Sequence, residues 1–335
     1  MLKMTIAIDT WHPHNNDIAN FWKSFSTYAS KIGIQLDLIT SAEHLHSTIP
    51  YLNIDYPVQI EDIGNRIDKF NPDIIHIVTE GPIGNHVKKH CLKKKYKFTT
   101  SLNINYAKYL NKKLFLPKTI IQKYALKWHK KSSNIFVFNK EDKYLLENYG
   151  YNNHSFISPP INKKQYNPNL KKALKTKQKS IFCPIEECEI KDIKKLLELS
   201  EKYYIIVSSQ NEVKEKTKEQ YKNVKWIENI NDTTKNTYLA SADIVIQPQN
   251  FSLLNLSYIK AKACGTPCIL INDESASDID EIIGKTLTDF DQESEIKKVN
   301  SWNNTLLKFI SRMKPINDER SKSFNNFLSS KTKKN

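Results

Sequence analysis

Apolar and polar positions follow one another along the chain in runs that predict alternating strands and helices. The stretch 241–271 shows this most fully. Residues 244–246 are apolar without alternation, as expected of a strand buried on both faces of a parallel sheet. Apolar positions then recur at helical spacing over 256–263, Gly265 ends the helix, and a second apolar run covers 268–271. The pattern predicts one βαβ unit.

Similar units recur along the rest of the chain and predict an α/β protein built from doubly wound parallel sheets. Further strands are expected at 5–8, 34–39, 73–78, 97–101, 134–138, 180–183, 203–208 and 223–227, and helices include 58–70, 190–201 and 301–314. We place two Rossmann-like domains at 1–165 and 166–335, with the last helix crossing back to the first domain. The tail from Ser321 is polar and is expected to fray.

Composition favours a packed protein without a membrane span. Of the 335 residues, 39% are hydrophobic and 26% are charged. No apolar run approaches the ~20 residues that a membrane-spanning helix needs, and the N-terminus has the pattern of a strand, not of a signal peptide. Five scattered cysteines form no C-x-x-C pair, which predicts a reduced cytoplasmic protein.

The formal net charge is +15, which raises the question of an anionic partner. The chain is rich in Lys, Asn and Ile and poor in Arg, a composition typical of an AT-rich genome, and we attribute most of the charge to that bias. Scarce Arg also argues against a reader of nucleic-acid sequence, since bidentate contacts to guanine generally use Arg. No specific nucleic-acid partner is expected.

The stretch 241–271 resembles the donor-site segment of the retaining, family-4 glycosyltransferases of the GT-B fold. Their pattern is roughly A-D-x-x-x-x-P-S, an E-x-x-F-G turn, then E-A-x-A-x-G-x-P. The matching positions are Ala242, Asp243, Pro248, Leu256, Ala261, Ala263, Gly265, Thr266 and Pro267. The resemblance implies two Rossmann-like domains facing a cleft, a nucleotide-sugar donor, and transfer with retention that needs neither metal nor cofactor.

A second motif lies at 72–84 and resembles P-D-x-x-H-x-x-T-E-G-P-x-G, which is common in the family's mannosyl- and glucosyltransferases that act on lipid acceptors. It matches at Pro72, Asp73, His76, Thr79, Glu80, Gly81, Pro82 and Gly84. The resemblance implies that Glu80 contacts the acceptor. A Gly-Pro-x-Gly turn can equally be architectural, and both interpretations stay open.

The chain departs from the family where the donor would bind. Ser252 and Lys260 stand where the family has two glutamates, and Asn255 replaces a glycine. Asn103 replaces a histidine; an amide can still hydrogen-bond but cannot titrate near neutral pH. Asp17, beside the matching Asn16, replaces a glycine near the expected phosphate.

The cations that the family uses to neutralise the diphosphate are also missing. The loop 184–189 carries three carboxylates instead, and Lys191 is the nearest candidate cation. By resemblance, the catalytic candidates are Asn103 and Glu80. The donor-binding candidates are Asn16, Asp17, Lys191, Gln249, Ser252, Leu254, Asn255 and Lys260.

No metal site is predicted. His12 and His14 are loop residues two positions apart with no third ligand nearby. Asp278 and Asp280 imitate a D-x-D motif, but we interpret them as the start of a helix.

Two functions follow. The first is a glycosyltransferase that moves a sugar from a nucleotide-sugar to a glycan or lipid acceptor, with a peripheral membrane contact compatible with the lipid-acceptor branch. The second is a catalytically inactive GT-B protein with a binding or regulatory role, because so many donor-site positions differ while the core positions are kept.

Overall fold

The computed structural model describes residues 1–11, 16–41, 46–49, 54–57, 62–107, 117–185, 190–209, 212–248, 252–271 and 278–332. The chain divides into two compact units. The first unit comprises 1–158, 251–254 and 302–335, and the second comprises 159–250 and 255–301. The chain first passes from one unit to the other between Ser158 and Pro159, a few residues before the boundary proposed from the sequence.

The first unit contains a six-stranded sheet whose paired strands are all parallel. Its strands are β1 (Leu2–Ile8), β2 (Ile34–Thr40), β5 (Ile74–Ile77), β6 (Thr99–Ser101), β7 (Ile135–Val137) and β8 (His154–Phe156), in the order β2-β1-β5-β6-β7-β8. A separate antiparallel pair joins β3 (His46–Ile49) to β4 (Ile54–Pro57). The helices are α1 (Asp17–Lys31), α2 (Ile63–Phe70), α3 (Pro82–Lys94), α4 (Lys118–His129), α5 (Lys140–Asn148), α12 (Trp302–Ser311) and α13 (Glu319–Thr332).

Apolar side chains cover both faces of this sheet. On one face, residues of α2 and α3 such as Ile67 and Val87 pack on Ile75 and Ile77 of β5. On the other face, the aromatic rings of α1 meet those of α12, and the rings of Phe309 and Phe136 stack 4.3 Å apart. The core is therefore dominated on one side by aliphatic and on the other by aromatic packing.

The second unit contains a five-stranded parallel sheet. Its strands are β9 (Ser180–Ile185), β10 (Tyr204–Ser209), β11 (Lys225–Glu228), β12 (Ile244–Pro248) and β13 (Cys268–Ile271), in the order β11-β10-β9-β12-β13. The helices are α6 (Lys194–Leu197), α7 (Glu215–Gln220), α8 (Asp232–Ser241), α9 (Leu256–Ala263), α10 (Ile279–Asp289) and α11 (Gln292–Lys298), with 3₁₀ turns at Pro168–Leu170 and Ile190–Ile193.

The strand order locates the switch point of each sheet, where consecutive connections leave in opposite directions and leave a crevice for a ligand. In the first sheet this point lies between β1 and β5, and in the second between β9 and β12. The residues that follow these four strands are therefore the first to examine for function.

The predicted α/β fold with two Rossmann-like sheets is confirmed. Two local predictions are wrong. Residues 190–201 form a 3₁₀ turn and the single-turn helix α6, not one long helix, and the buried residues Ile193, Leu196 and Leu197 span a single turn. The tail forms α13 and does not fray, since Phe324 is buried. Within the described part of the chain, no helix combines the length and the apolar character that a bilayer crossing demands.

Candidate functional site

The switch point of the first sheet is occupied by the carboxylate of Asp9, which directly follows β1. Asp9 Oδ1 accepts a hydrogen bond from the backbone N–H of Ile83 at 2.7 Å, and Oδ2 accepts one from Gly84 at 3.3 Å. Thr79 donates its hydroxyl to Asp9 Oδ2 at 2.6 Å and accepts the Asp9 N–H at 2.7 Å. The N-terminus of α3, which could hold an anion, is therefore already occupied by a carboxyl group of the protein itself.

Both glycines of the Gly-Pro-x-Gly turn are needed for this packing. A Cβ on Gly81 would lie 2.5 Å from Asp9 Cγ, and one on Gly84 would overlap the carbonyl oxygen of Thr79. Burial raises the pKa of Asp9, and the hydrogen bonds from Thr79, Ile83 and Gly84 oppose that rise. These contacts give the Gly-Pro-x-Gly turn an architectural role, which is one of the two interpretations that the sequence left open.

Glu80, a candidate catalytic residue, lies beside this turn with both carboxylate oxygens bonded. Oε1 lies 2.9 Å from His129 Nε2, and Oε2 accepts the Tyr106 hydroxyl at 2.8 Å. The His129 side chain is fully buried and that of Glu80 is 8% exposed. Thr100 Oγ1 lies 3.0 Å from the other ring nitrogen of His129. These contacts fix the orientation of the His129 ring between Glu80 and Thr100.

Asn103 is fully buried at the end of β6, and its amide is only partly satisfied. Nδ2 donates to the carbonyl of Val78 at 2.7 Å and to Ser101 Oγ at 2.8 Å. Oδ1 has no hydrogen-bond partner among the protein groups. Exchanging the two amide atoms would turn an oxygen toward the Val78 carbonyl, so the observed orientation is the favourable one.

Beneath Asn103, the chain of hydrogen bonds continues through Ser101 to the buried His76. His76 Nε2 lies 3.2 Å from Ser101 Oγ, and Nδ1 lies 2.8 Å from Thr99 Oγ1. Burial lowers the pKa of His76 to about 3, so the ring is neutral. It stacks on Trp22 with 4.6 Å between ring centroids, which makes it part of the core and not a proton donor to substrate.

The other candidates of the first unit serve local structure. Asn16 caps α1, with Oδ1 accepting from Ala19 N at 2.9 Å and Nδ2 donating to Thr10 at 2.7 Å. Asp17 is buried in the first turn of that helix, where its charge complements the helix dipole. The structure thus brings Asn16 and Asp17 together, and their side chains take up part of the N-terminus of α1.

The segment 252–254 belongs to the first unit, although its neighbours in sequence belong to the second. Leu253 N donates to the carbonyl of Asn103 at 2.9 Å, and Asn139 Nδ2 donates to the carbonyl of Leu253 at 3.2 Å. Ser252 Oγ accepts the Leu254 N–H at 3.3 Å, and both of these candidates are buried. Ser252 and Leu254 therefore lie next to the Asn103 backbone.

In the second unit, Asn255 begins α9 in a left-handed conformation, with φ 48° and ψ 47°. Asparagine is among the few residues besides glycine that tolerate this region. The Asn255 side-chain Oδ1 is buried without a partner. The replacement of the glycine that the family keeps here therefore preserves the backbone and adds an acceptor.

Lys260 lies on α9 with its ammonium 5.2 Å from the centroid of the Tyr166 ring, in a cation–π contact. Lys191 is exposed in the 3₁₀ turn Ile190–Ile193. Gln249, and residues 186–189 of the acidic loop, lie outside the described residues. Asp280 accepts hydrogen bonds from Lys202 at 2.7 Å and from Tyr203 at 2.8 Å, so its carboxylate is engaged by these neighbours.

The second sheet contains buried polar groups near the carboxyl ends of its strands that the sequence analysis missed. Gln247, at the end of β12, is 4% exposed and its Oε1 has no hydrogen-bond partner. Ser208, at the end of β10, is 1% exposed and its Oγ is likewise unpaired. Ser208 pairs in register with Pro184 of β9, the strand between β10 and β12. The signal available in the sequence was a polar residue closing an otherwise apolar strand.

Sequence reasoning also did not assign roles to Asp9, His129 and Tyr106 as partners of Glu80 and its turn. Asp9 directly follows the first strand, and only its contacts with Thr79, Ile83 and Gly84 show its role. The contacts of His129 and Tyr106 with Glu80 span 49 and 26 residues, and no local pattern marks them.

No protein-family model and no curated protein matches this chain. Its fold, in contrast, matches solved structures over nearly the whole length. A sucrose-phosphate synthase from Thermosynechococcus elongatus aligns with a TM-score of 0.68 at 12% identity, covering 92% of this chain and 97% of the other. The catalytic domain of starch synthase IV from Arabidopsis thaliana, bound to ADP and acarbose, aligns with a TM-score of 0.58 at 11% identity, covering 98% and 99%.

A UDP-GlcNAc 2-epimerase from Neisseria meningitidis, bound to UDP-GlcNAc, aligns with a TM-score of 0.54 at 11% identity, covering 93% of this chain and 99% of the other. The fold is therefore GT-B, the architecture shared by nucleotide-sugar glycosyltransferases and epimerases. At these identities the likeness establishes the fold and leaves the activity to be argued from the site.

Proposed function

We propose that the protein is a glycosyltransferase that transfers a sugar from a nucleotide-sugar donor to a glycan or lipid acceptor, independently of metal and with retention of configuration. The observation that carries this proposal is a set of buried polar atoms without partners near the ends of strands and at the start of α9. In the second unit these are Gln247 Oε1, Ser208 Oγ and Asn255 Oδ1, and in the first unit Asn103 Oδ1.

An unpaired buried polar group costs about 1–3 kcal/mol, so proteins generally keep such groups where a ligand or an ordered water completes them. Three of the four atoms are amide carbonyl oxygens, which can only accept hydrogen bonds. A phosphate oxygen cannot satisfy them at neutral pH, whereas sugar hydroxyls and the N–H groups of a base can. The site therefore favours a ligand rich in hydroxyl and N–H donors, as a nucleotide-sugar is.

Two of the solved GT-B structures contain ligands of this chemistry, one with ADP and acarbose and the other with UDP-GlcNAc. In the proposed reaction, Gln247, Ser208 and Asn255 hold the donor, and Asn103 accepts a hydrogen bond from a sugar hydroxyl. Glu80 belongs to the acceptor side, where its bonds to His129 and Tyr106 orient those two groups. These roles use hydrogen bonds only and assign no proton transfer to Asn103.

Three contacts favour the alternative of an inactive GT-B binding protein. Lys260 stands where the resemblance places a glutamate, and its ammonium lies over the Tyr166 ring. In the first unit, the N-terminus of α3 is occupied by Asp9, and Asn16 caps α1. A donor diphosphate would therefore need charge stabilisation from elsewhere.

Thermal shift against UDP-, GDP-, ADP- and dTDP-sugars tests the proposal. A ligand at about 100 times its dissociation constant should stabilise the protein by about 2.7 kcal/mol, which is several degrees in Tm. We expect one nucleotide class to give this shift, and expect Gln247→Met and Ser208→Ala to reduce it. Gln220→Met, at an exposed position on α7, is the matched control.

The nucleotide identified in this way is then used in a product assay with labelled sugar and candidate acceptors. Sugar transfer supports the proposal. Binding without transfer or donor hydrolysis supports the inactive protein, and appearance of a 2-epimer by NMR would replace the glycosyltransferase with an epimerase. If no nucleotide-sugar shifts the Tm, both the glycosyltransferase and the epimerase are contradicted.

A further inference from the structure

One stretch of the chain carries an excess of positive charge equal to the net charge of the whole protein. Residues 81–140 contain 15 lysines, no arginine, and no aspartate or glutamate. The remaining 275 residues contain 36 basic and 36 acidic side chains, so their formal charges cancel. The attribution of most of the charge to compositional bias does not account for 60 consecutive residues without a single carboxylate. This local excess points to a local function.

Within this stretch, α4 has an exposed face that is both basic and apolar. Ile120 is 61% exposed and Tyr124 is 79% exposed, one helical turn apart. Lys123 and Lys127 are exposed on the same side of the helix, and Lys131 is exposed in the turn that follows it. The opposite side of the helix buries Ile121, Leu126 and His129. We call the exposed set Ile120, Lys123, Tyr124, Lys127 and Lys131 the α4 face.

The neighbouring helix α3 supports this face and extends its charge. Lys88 Nζ donates to the carbonyl of Trp128 at 2.5 Å and lies 4.3 Å from the Trp128 ring centroid. Trp128 Nε1 in turn donates to Asn85 Oδ1 at 2.7 Å. The two helices are therefore joined side by side. Leu92 of α3, 46% exposed, lies between the exposed Lys89 and Lys93 in sequence.

The lysines of α4 have no ion-pair partner among the described residues, in contrast to Lys94, which is bridged to Asp68 at 2.8 Å. A cationic face without carboxylate partners that also exposes Ile and Tyr side chains has the composition of an interaction surface. Its partner should carry negative charge and offer an apolar layer.

We propose that the α4 face docks on an anionic lipid bilayer. Lysine ammonium groups reach phosphate headgroups while their stems lie along apolar surface, and Ile120 and Tyr124 are suited to the interface below. Electrostatic attraction of this kind adds roughly fivefold in partitioning per lysine near the surface. The absence of Arg and the exposed apolar side chains favour lipid over nucleic acid, whose base edges and phosphates are contacted bidentately by Arg.

The experiment is co-sedimentation of the full-length protein with vesicles of phosphatidylglycerol and phosphatidylcholine, compared with pure phosphatidylcholine. We expect binding to the anionic vesicles only, weakened at least tenfold between 50 mM and 500 mM salt. The triple variant K123Q/K127Q/K131Q should weaken binding by roughly 50-fold or more. The double variant I120S/Y124S, which keeps every charge, should weaken it by roughly tenfold.

The matched control is K195Q/K216Q/K222Q, which removes three exposed lysines from the second unit and should leave vesicle binding unchanged. All variants alter exposed side chains, so the Tm of each should stay within about 2 °C of the parent. Failure to bind anionic vesicles, or an equal loss in the control, overturns the proposal. Tighter binding to duplex DNA that depends on the three lysines but not on Ile120 and Tyr124 would also overturn it, in favour of nucleic acid. Vesicle binding is measured independently of sugar transfer, so this proposal is tested separately from the proposed activity.

Discussion

The switch points of the two sheets differ in whether their polar groups are hydrogen-bonded. Between β1 and β5, Asp9 fills the crevice with its own carboxylate and bonds to Thr79, Ile83 and Gly84. At the end of β12, beside β9, Gln247 Oε1 is buried and unpaired. The polar groups at the first switch point are thus hydrogen-bonded within the protein, whereas the second keeps a buried acceptor without a donor.

This difference separates stability from ligand binding. Polar groups that hydrogen-bond to one another strengthen the fold and are poor ligand sites, whereas unpaired buried groups lower stability and can bind a ligand. We therefore expect substitutions at the first switch point to lower stability. Substitutions at the second should raise stability and lower affinity.

The largest effect is expected for Gly84→Ala in the first unit. Its new methyl group would overlap the carbonyl oxygen of Thr79, so the turn that holds Asp9 must shift, at about 3 kcal/mol. Denaturant unfolding measures this loss. Gly284→Ala in α10 is the control, because no atom lies within 4 Å of the added methyl. Alanine there should stabilise the helix by about 1 kcal/mol. Equal behaviour of the two variants would show that the turn is not rigid.

The sequence predicted the scaffold because a scaffold is specified locally. Buried strands show as unbroken apolar runs, as in 244–246, and Gly265 with φ 75° marks the end of α9. The Gly-Pro-x-Gly turn was visible for the same reason. The hairpin of β3 and β4 was missed; its eight paired residues mix polar and apolar types without a clear strand period.

The site was harder to predict because its properties depend on contacts between distant residues. Nothing near Glu80 in the sequence indicates that His129 and Tyr106 bind its carboxylate. Similarly, a polar residue such as Gln247 is unremarkable in sequence, and only the structure shows that its oxygen is buried without a partner. Resemblance to a family indicated candidate positions, but not whether the polar atoms at each position have hydrogen-bond partners.

The second prediction concerns Asp142, another carboxyl group near the strand ends of the first unit. Asn139 Nδ2 donates to Asp142 Oδ2 at 2.6 Å, and burial, as the main cause, raises the pKa of Asp142 to about 7. The folded state therefore holds a proton that the unfolded state, with a pKa near 3.8, has lost. The associated stability is complete below the unfolded pKa and is lost as the pH rises through the folded pKa.

Between pH 5 and pH 8, this loss should amount to about 2–3 kcal/mol. Asp142→Asn lacks the titrating group and should gain that amount relative to the parent over the same interval. Urea unfolding of both proteins at the two pH values gives the difference, in which other titrating groups such as His76 cancel. A pH-independent difference between the two proteins would show that Asp142 ionises normally, as a solvated carboxylate does.

The third prediction tests the open switch point. Gln247→Met removes the unpaired oxygen at similar volume and should raise the free energy of unfolding by about 1 kcal/mol without ligand. At saturating nucleotide-sugar the order should reverse, because the parent gains hydrogen bonds that the variant cannot make. Thermal unfolding with and without ligand measures both. Destabilisation of the ligand-free variant would mean that Gln247 is satisfied in solution, and the contrast between the two sheets would fail.

The smallest effects come from two residues with left-handed backbone, one in each unit. Lys95 follows α3 with φ 58°, and Asn255 begins α9 with φ 48°. Lys95→Gly should stabilise by about 1 kcal/mol, because it removes the strain of a side chain in that region. Asn255→Gly should change stability by less than about 0.5 kcal/mol, since asparagine tolerates the same conformation. If Asn255 Oδ1 also contacts the ligand, Asn255→Gly will lose nucleotide-sugar affinity while keeping its Tm. An unchanged affinity would confine the role of Asn255 to the backbone, leaving Gln247 and Ser208 to hold the donor in the second unit.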